Sequence, residues 1–433
     1  MSAWLDPDDP AVKAARAKTA KEKPQRRPRR EAEDWEAELI PGKNGAAAAL
    51  LVNAVRALRT APVWRGVIWH DAFRNRTTLR GHAPWMAAGL SPDAPWTDRL
   101  DALTACWLQE HGIPVGDAIA GRAVATVAAD SIFHPVLDYL VGCEWDGAPR
   151  LDAWLVDYLG SPDSPYGRAV GARWLIAAVA RVMQPGCKAD CALILEGPQG
   201  IKKSTALRTL AAPWFTDEIS DLGTKDADMQ LAGAWVVELA ELDSISRGDV
   251  SRIKAFMSRT TDRFRPPYGH HVIEQPRQCV FAGTVNHNEY LRDETGGRRF
   301  WPIQCNTIRV DELSEARDQL WAEALHRYRA DENWWLDTHT LTAAAEIEQG
   351  GRYQSDAWQA LIDEFCASVE TVSIGDLLKS ALFLPIEKWG QPEQTRVARC
   401  LRAAGWERYQ HRQGMQRTWR YRRLSPPSPL NQP

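Results

Sequence analysis

Apolar residues recur along this chain at two periods, and the switch between them marks its most informative stretch. Ala192 to Leu195 is an unbroken apolar run, the pattern of a strand buried on both faces. Gly197-Pro-Gln-Gly200 follows, a turn of little side-chain bulk, and from Ser204 the apolar spacing becomes helical. Two further apolar runs predict strands: Ala234 to Leu242, which ends in acids, and Cys279 to Thr284, which leads to Asn286. Helical spacing covers Ala46–Leu58, Trp96–His111, Ala118–Ala129, Ala153–Tyr158 and Tyr166–Val182, and Trp64–Phe73 alternates like a strand or hairpin. Near the end, Trp358–Ala367, Ile374–Ala381 and Glu393–Ala403 predict three helices. Tyr409–Tyr421, broken at Gln413-Gly414, predicts a β-hairpin. The pattern divides the chain into a small α-rich domain (46–130), a helical collar (131–190), an α/β core (191–345) and a C-terminal domain (355–424). The ends, 1–45 and 425–433, hold too few apolar residues to bury and are expected to be disordered.

Composition narrows this only modestly. The 433 residues are 44% hydrophobic and 25% charged, which suits a globular protein in solution. A net charge of −3 gives no global sign of a nucleic-acid partner, so any such surface is a local patch. Eight scattered cysteines lack zinc-ribbon spacing and read as reduced core thiols. No run reaches the length of a membrane span, and the start is too charged for a secretory signal; a cytoplasmic protein is expected.

The candidate chemistry gathers at the strand ends. Gly197 and Gly200 with Lys203-Ser204-Thr205 approach the pattern G-x-x-x-x-G-K-[ST], whose backbone N–H groups and following helix end cradle phosphate oxygens. Lys203 would hold the β/γ-phosphates and Ser204 a Mg²⁺ ion; Lys202 stands where that pattern has glycine. A phosphate site of this kind needs a carboxylate at a neighbouring strand end for the metal and the attacking water. Glu241 is the first choice and Glu238 the second. Thr284 and Asn286 end a strand that can lie beside the loop. The block Ile253 to His271 interleaves Lys254 and Arg265 with aromatic residues, and Gly269-His270-His271 suits a hairpin tip; cations track phosphates while rings meet bases. Arg298 and Arg299 lie on a glycine turn, placed to reach outward. His70-Asp71 reads as a satisfied surface pair. Arg396, Arg399 and Arg402 share one helix face, and from Arg396 to Arg423 nine arginines face one acid, Glu407.

In this order, FHPVLDYL, WDGAPRLD, LEGPQG with KST, WVVELAEL, IKAFMSRTTDRFRPPYG, GTVN and TGGRRFWP resemble the virulence-associated E family of phage and mobile-element proteins, and more distantly the superfamily 3 helicases. The resemblance runs from about Val52 to Arg423. It implies an α/β P-loop NTPase core of RecA/AAA+ type, with a helical N-terminal domain and a C-terminal winged-helix-like domain. It implies ATP and Mg²⁺ as ligands, Lys203 and Ser204 as Walker A, Glu238 and Glu241 as Walker B, and Asn286 as sensor 1. Arg298 or Arg299 becomes an arginine finger acting on a neighbour's ATP in a homo-oligomeric ring, a hexamer. His270 and His271 take the place of a channel hairpin that tracks single-stranded DNA. The implied activity is that of an ATP-dependent DNA helicase or helicase loader in replication, working beside a separate primase. Two other functions fit the same motifs: a hydrolysis-impaired DNA-binding origin or regulatory factor, with Lys202 as the cause, and a mobile-element defence ATPase.

Overall fold

The switch of period at Gly197 becomes a strand, a loop and a helix in the computed structural model, which describes residues 34–43, 45–85, 94–219, 224–239, 247–265, 271–286, 297–352, 357–413 and 416–423. Of the ends expected to be disordered, residues 1–33, 44 and 425–433 lie outside the described residues. Contacts divide the chain after Phe133 into two units.

The first unit holds helices α1 (Leu51–Thr60), α2 (Asp98–Glu110) and α3 (Asp117–Ala128). Its sheet has the order β3-β2-β1-β4, from β1 (Ile68–Asp71), β2 (Arg76–Leu79), β3 (Ala94–Pro95) and β4 (Ile132–Phe133). Two expectations are corrected here. Residues 34–43 are ordered, because Trp35 is buried and stacks on Trp107 at 5.8 Å. The buried Asn53 side chain also clamps Ile40, accepting from its N–H at 2.8 Å and donating to its carbonyl at 2.9 Å. Asp71 is not a surface residue: it is 1% exposed and caps the β1–β2 turn, accepting from the backbone N–H groups of Phe73 and Arg74. That carboxylate supplies the acceptors the turn backbone lacks, which is a structural task rather than a catalytic one.

The second unit opens with α4 (Pro135–Gly142), α5 (Trp154–Leu159) and α6 (Pro165–Met183). Next come β5 (Ala192–Glu196), α7 (Lys203–Ala211), β6 (Phe215–Thr216), α8 (Lys225–Gln230), β7 (Val236–Leu239) and α9 (Arg247–Met257). Strands β8 (Thr261–Phe264) and β9 (Ile273–Pro276) form an antiparallel hairpin, and β10 (Val280–Val285), β11 (Phe300–Gln304), α10 (Val310–Arg329) and α11 (His339–Gly350) follow. Strands β11-β5-β10-β7-β6 make one all-parallel sheet in that order. β5 is buried at every position, as expected of a strand covered on both faces. Helix α6, begun by Ser164 accepting from Gly167 N–H, is one of the covers, and tryptophans tie covers to sheet. The Trp174 indole donates to the Phe281 carbonyl at 2.8 Å and Trp235 to that of Ala178 at 2.9 Å.

A buried ion pair anchors the β8–β9 hairpin. Arg277 follows β9 with its side chain 1% exposed, donates through Nε to Asp262 Oδ2 at 2.9 Å and lies over the Phe256 ring. Its other nitrogens donate to Asp262 Oδ1 and to the Phe256 carbonyl. Truncating one partner of such a pair strands the other's charge and typically costs about 3–5 kcal/mol. Arg277→Ala is therefore expected to lower the urea midpoint of unfolding sharply, whereas Arg263→Ala, on the exposed side of the same hairpin, leaves it almost unchanged.

The last part of the unit holds α12 (Gln359–Cys366), β12 (Thr371–Val372), α13 (Ile374–Asp376) continued by a π-helical turn over Leu377–Ala381, α14 (Gln391–Ala403), β13 (Trp406–Gln413) and β14 (Gln416–Arg423). Its antiparallel sheet has the order β12-β14-β13 over a small core that includes Leu377, Val397 and Trp406. The predicted helices and hairpin are all present. Strand β12, two residues long, was too short to show as alternation.

Candidate functional site

Every strand of the parallel sheet ends at the same edge, and the glycine loop lies there. Glu196 closes β5, and its buried carboxylate is gripped by Arg352 through Nε at 3.0 Å and a second guanidinium nitrogen at 3.0 Å. Burial works against the charge on Arg352, but the hydrogen bonds and charges of Glu196 and Glu348 outweigh it and hold the guanidinium above its ordinary pKa. Sequence reading missed this pair because its members are 156 positions apart; the one local signal was an acid at the end of a buried run. Gly197 then turns with φ +148, and a Cβ there would meet the Cys305 carbonyl oxygen at 2.5 Å, so only glycine fits. Burial pushes the Cys305 thiol up to about 12, so it offers no nucleophile at neutral pH.

Lys202 stands before α7 with φ 72 and ψ 33, in the left-handed region. The chain thus makes the turn a glycine would make, with a lysine in it and the side chain pointing to solvent. The departure from the motif appears as local strain of roughly 1–2 kcal/mol. Glycine removes that strain but loses about 0.5–1 kcal/mol to its own flexibility. Lys202→Gly is accordingly expected to unfold within about 1 kcal/mol of the parent. Lys202→Val, β-branched in a left-handed turn, should fall clearly below both in a denaturant titration.

Behind the loop, the side chains converge. Lys203 is 7% exposed, and its Nζ donates to the carbonyls of Gly197 at 2.7 Å and Pro198 at 2.9 Å and to Asn286 Oδ1 at 3.2 Å. Ser204 Oγ donates to Glu238 Oε1 at 2.7 Å, and Thr284 Oγ1 donates to the same oxygen at 2.7 Å. Glu238 itself is 3% exposed, and among the described residues its Oε2 has no hydrogen-bond partner. A buried carboxylate oxygen left bare beside a serine hydroxyl is a costly arrangement and suits a hard cation, which takes oxygen ligands. Thr205 is the third residue of α7 and is exposed. Of the two acids considered, Glu238 reaches the loop; Glu241 lies outside the described residues.

The remaining candidates fall into three places. Arg299 is half-buried and donates to Asp190 at 3.2 Å, while Arg298 is exposed. Both precede β11, whose register pairs Phe300 with Ala192 and Gln304 with Glu196. They therefore lie at the opposite edge of the sheet from the loop, about 16 Å along a five-residue strand. Arg265 and His271 are exposed at the end of the β8–β9 hairpin, and His270 lies outside the described residues. Lys254 is a correction: it is 6% exposed with its Nζ near the Phe300 ring, because α9 turns that face, with Ile253 and Met257, into the core. Arg396 stacks on Trp358 at 3.9 Å, Arg399 is half-buried and Arg402 is exposed, so the three share the helix unequally. Cys279, Cys305, Cys366 and Cys400 are buried, but Cys106 is exposed and is no core thiol. Among the described residues, no helix is long and apolar enough to cross a membrane.

Fold and site together define a mixed α/β protein built on a parallel sheet, with a lysine, two hydroxyls and a buried carboxylate gathered behind one strand-to-helix loop. Residues 140–353 match the family model described as the Virulence-associated protein E-like domain. Its structure is similar to solved apo structures of the NrS-1 C-terminal region. One is 12% identical with a TM-score of 0.42, covering 83% of this chain and 96% of that one. Another, an A form, is 13% identical with a TM-score of 0.43, covering 87% and 99%. No curated protein matches the chain.

Proposed function

We propose that this protein is a P-loop ATPase of RecA/AAA+ type that works as an ATP-dependent DNA helicase or helicase loader in phage or mobile-element replication. The observation that carries the reading is the bare Oε2 of Glu238, held beside Ser204 and Lys203 at the mouth of a glycine loop. Backbone N–H groups of the loop and the N-terminal end of α7 favour phosphate oxygens. Lys203, already surrounded by oxygen acceptors, exchanges them for phosphate at little cost. Ser204 and Glu238 would hold Mg²⁺, which supplies charge neutralisation on the transferring phosphoryl group. Strand β10 lies between β5 and β7, so it brings Thr284 and Asn286 between the loop and the acid, where Asn286 can orient a water or sense the terminal phosphate. Arg298 and Arg299, remote from the loop of their own subunit, suit a finger acting on a neighbour in a homo-oligomeric ring.

Single-stranded DNA fits two exposed features. The β8–β9 hairpin presents Arg265 and His271 at its tip. The C-terminal part has the helix and strand order of a winged helix; its hairpin carries Trp419, 52% exposed, under the guanidinium of Arg408 at 4.1 Å. Rings and cations interleaved in this way bind bases and phosphates with little sequence preference. The hydrolysis-impaired alternative rests on Lys202, which occupies the left-handed turn that a glycine would make.

The test is ATP turnover by the full chain against increasing single-stranded DNA. Turnover should rise with DNA. Changing His270 and His271 together to Ala should remove that rise and stop unwinding while basal turnover persists. A chain with no turnover under any DNA condition would end the ATPase reading. A double-histidine variant stimulated like the parent would end the role given to the hairpin.

A further inference from the structure

The edge of the parallel sheet opposite the glycine loop holds a second concavity, a cavity of about 620 Å³ between α6, the starts of β5 and β11, and the segment leading into α11. Four tryptophans stand in its lining. Trp174 and Trp301 are 1% and 2% exposed, and Trp334 and Trp335 meet edge to face at 5.2 Å. Trp335 is 48% exposed, a large apolar side chain left in solvent where the cavity opens. Cations join them. Asp190 holds Arg299, which leaves Lys188 and Arg298 set against one further lining acid, Glu346. The Trp334 indole donates to the Lys188 carbonyl at 2.9 Å and so fixes the ring beside that lysine. Trp301 Nε1, by contrast, is buried with no hydrogen-bond partner among the described residues.

We propose that this cavity is a second binding site, for a nucleobase carried with its phosphate, distinct from the glycine loop. Each part of that ligand meets a fitting part of the site. The exposed Trp335 indole can stack on any base, because every base has a π-face. Lys188 and Arg298 at the rim suit a phosphate. The volume lies within the range of small-molecule sites. Free nucleotide and the end of a nucleic-acid strand share this chemistry. The inference does not rest on ATP turnover, and Arg298, which also serves the finger reading, is left out of its test.

The experiment uses the full chain bearing Lys203→Ala, which weakens phosphate binding at the loop, and follows anisotropy of fluorophore-labelled AMP and of a labelled 5′-phosphorylated decathymidylate. Trp335→Ala and Lys188→Ala, both at exposed positions, are added separately. Loss of one stacked base contact should weaken binding about tenfold, with a similar or smaller loss from Lys188→Ala. Weakening of AMP points to free nucleotide as the source, and weakening of the decathymidylate alone to a strand end. Affinities unchanged by both substitutions for both probes would overturn the proposal, as would the absence of saturable binding of either probe to the Lys203→Ala chain. ATP turnover of Trp335→Ala in an otherwise unaltered chain separates this outcome from any failure of the loop.

Discussion

Lys203→Ala is expected to reduce ATP turnover by a factor on the order of 10²–10³ or more, the loss that follows removal of one preorganised charge at a developing anion. The ammonium is nearly buried and already ringed by the Gly197 and Pro198 carbonyls and Asn286, so it sits in place before any phosphate arrives. Preorganisation of this kind makes a charge effective, since no reorganisation is needed as the reaction proceeds. Alanine lacks only the side chain beyond Cβ, and the freed carbonyls lie at the loop, where water can reach them. The unfolding midpoint should therefore stay near that of the parent. Steady-state hydrolysis and a denaturant titration, run together, check both halves. Lys202→Ala provides the decisive contrast: if it abolishes turnover and Lys203→Ala does not, the register of the loop is misassigned.

Arg298→Ala should cost about 10³–10⁵ in turnover, the range for an arginine that stabilises a phosphoryl-transfer transition state from another subunit. Arg299→Ala should cost less by that route, because its guanidinium is engaged with Asp190, whereas Arg298 is exposed. The geometry makes the trans arrangement testable. A residue at the start of β11 is a full strand length from the loop that ends β5 in the same subunit. Mixing Arg298→Ala with Lys203→Ala subunits should restore part of the activity, since some interfaces then pair an intact loop with an intact arginine. No recovery in mixed assemblies, verified by differential tagging, would place the arginine's role within its own subunit.

Much of the site was legible because its parts are local. The apolar run of β5, the glycines that turn it and the helical spacing after Ser204 are set by short-range sterics and period, and they appear where the residues put them. The β8–β9 hairpin and the C-terminal helices and hairpin were legible for the same reason. Lys254 was misread because an alternation of cations and rings does not reveal which side of α9 faces the core; that depended on β7 and β10, elsewhere in the chain. Trp35 was overlooked because one indole in a charged segment becomes core only when Trp107 is there to stack on it.

The sequence by itself determined the strand, loop and helix that present Gly197, Lys203 and Ser204, since backbone conformation over a few residues follows from the residues themselves. Only the tertiary structure decided that β10 lies between β5 and β7, that Glu238 meets Ser204 and Thr284 on one oxygen, that Arg352 grips Glu196, and that four tryptophans from distant segments share one cavity. Those outcomes depend on which buried faces pack together, and the energy of that choice is spread over contacts that no local pattern contains.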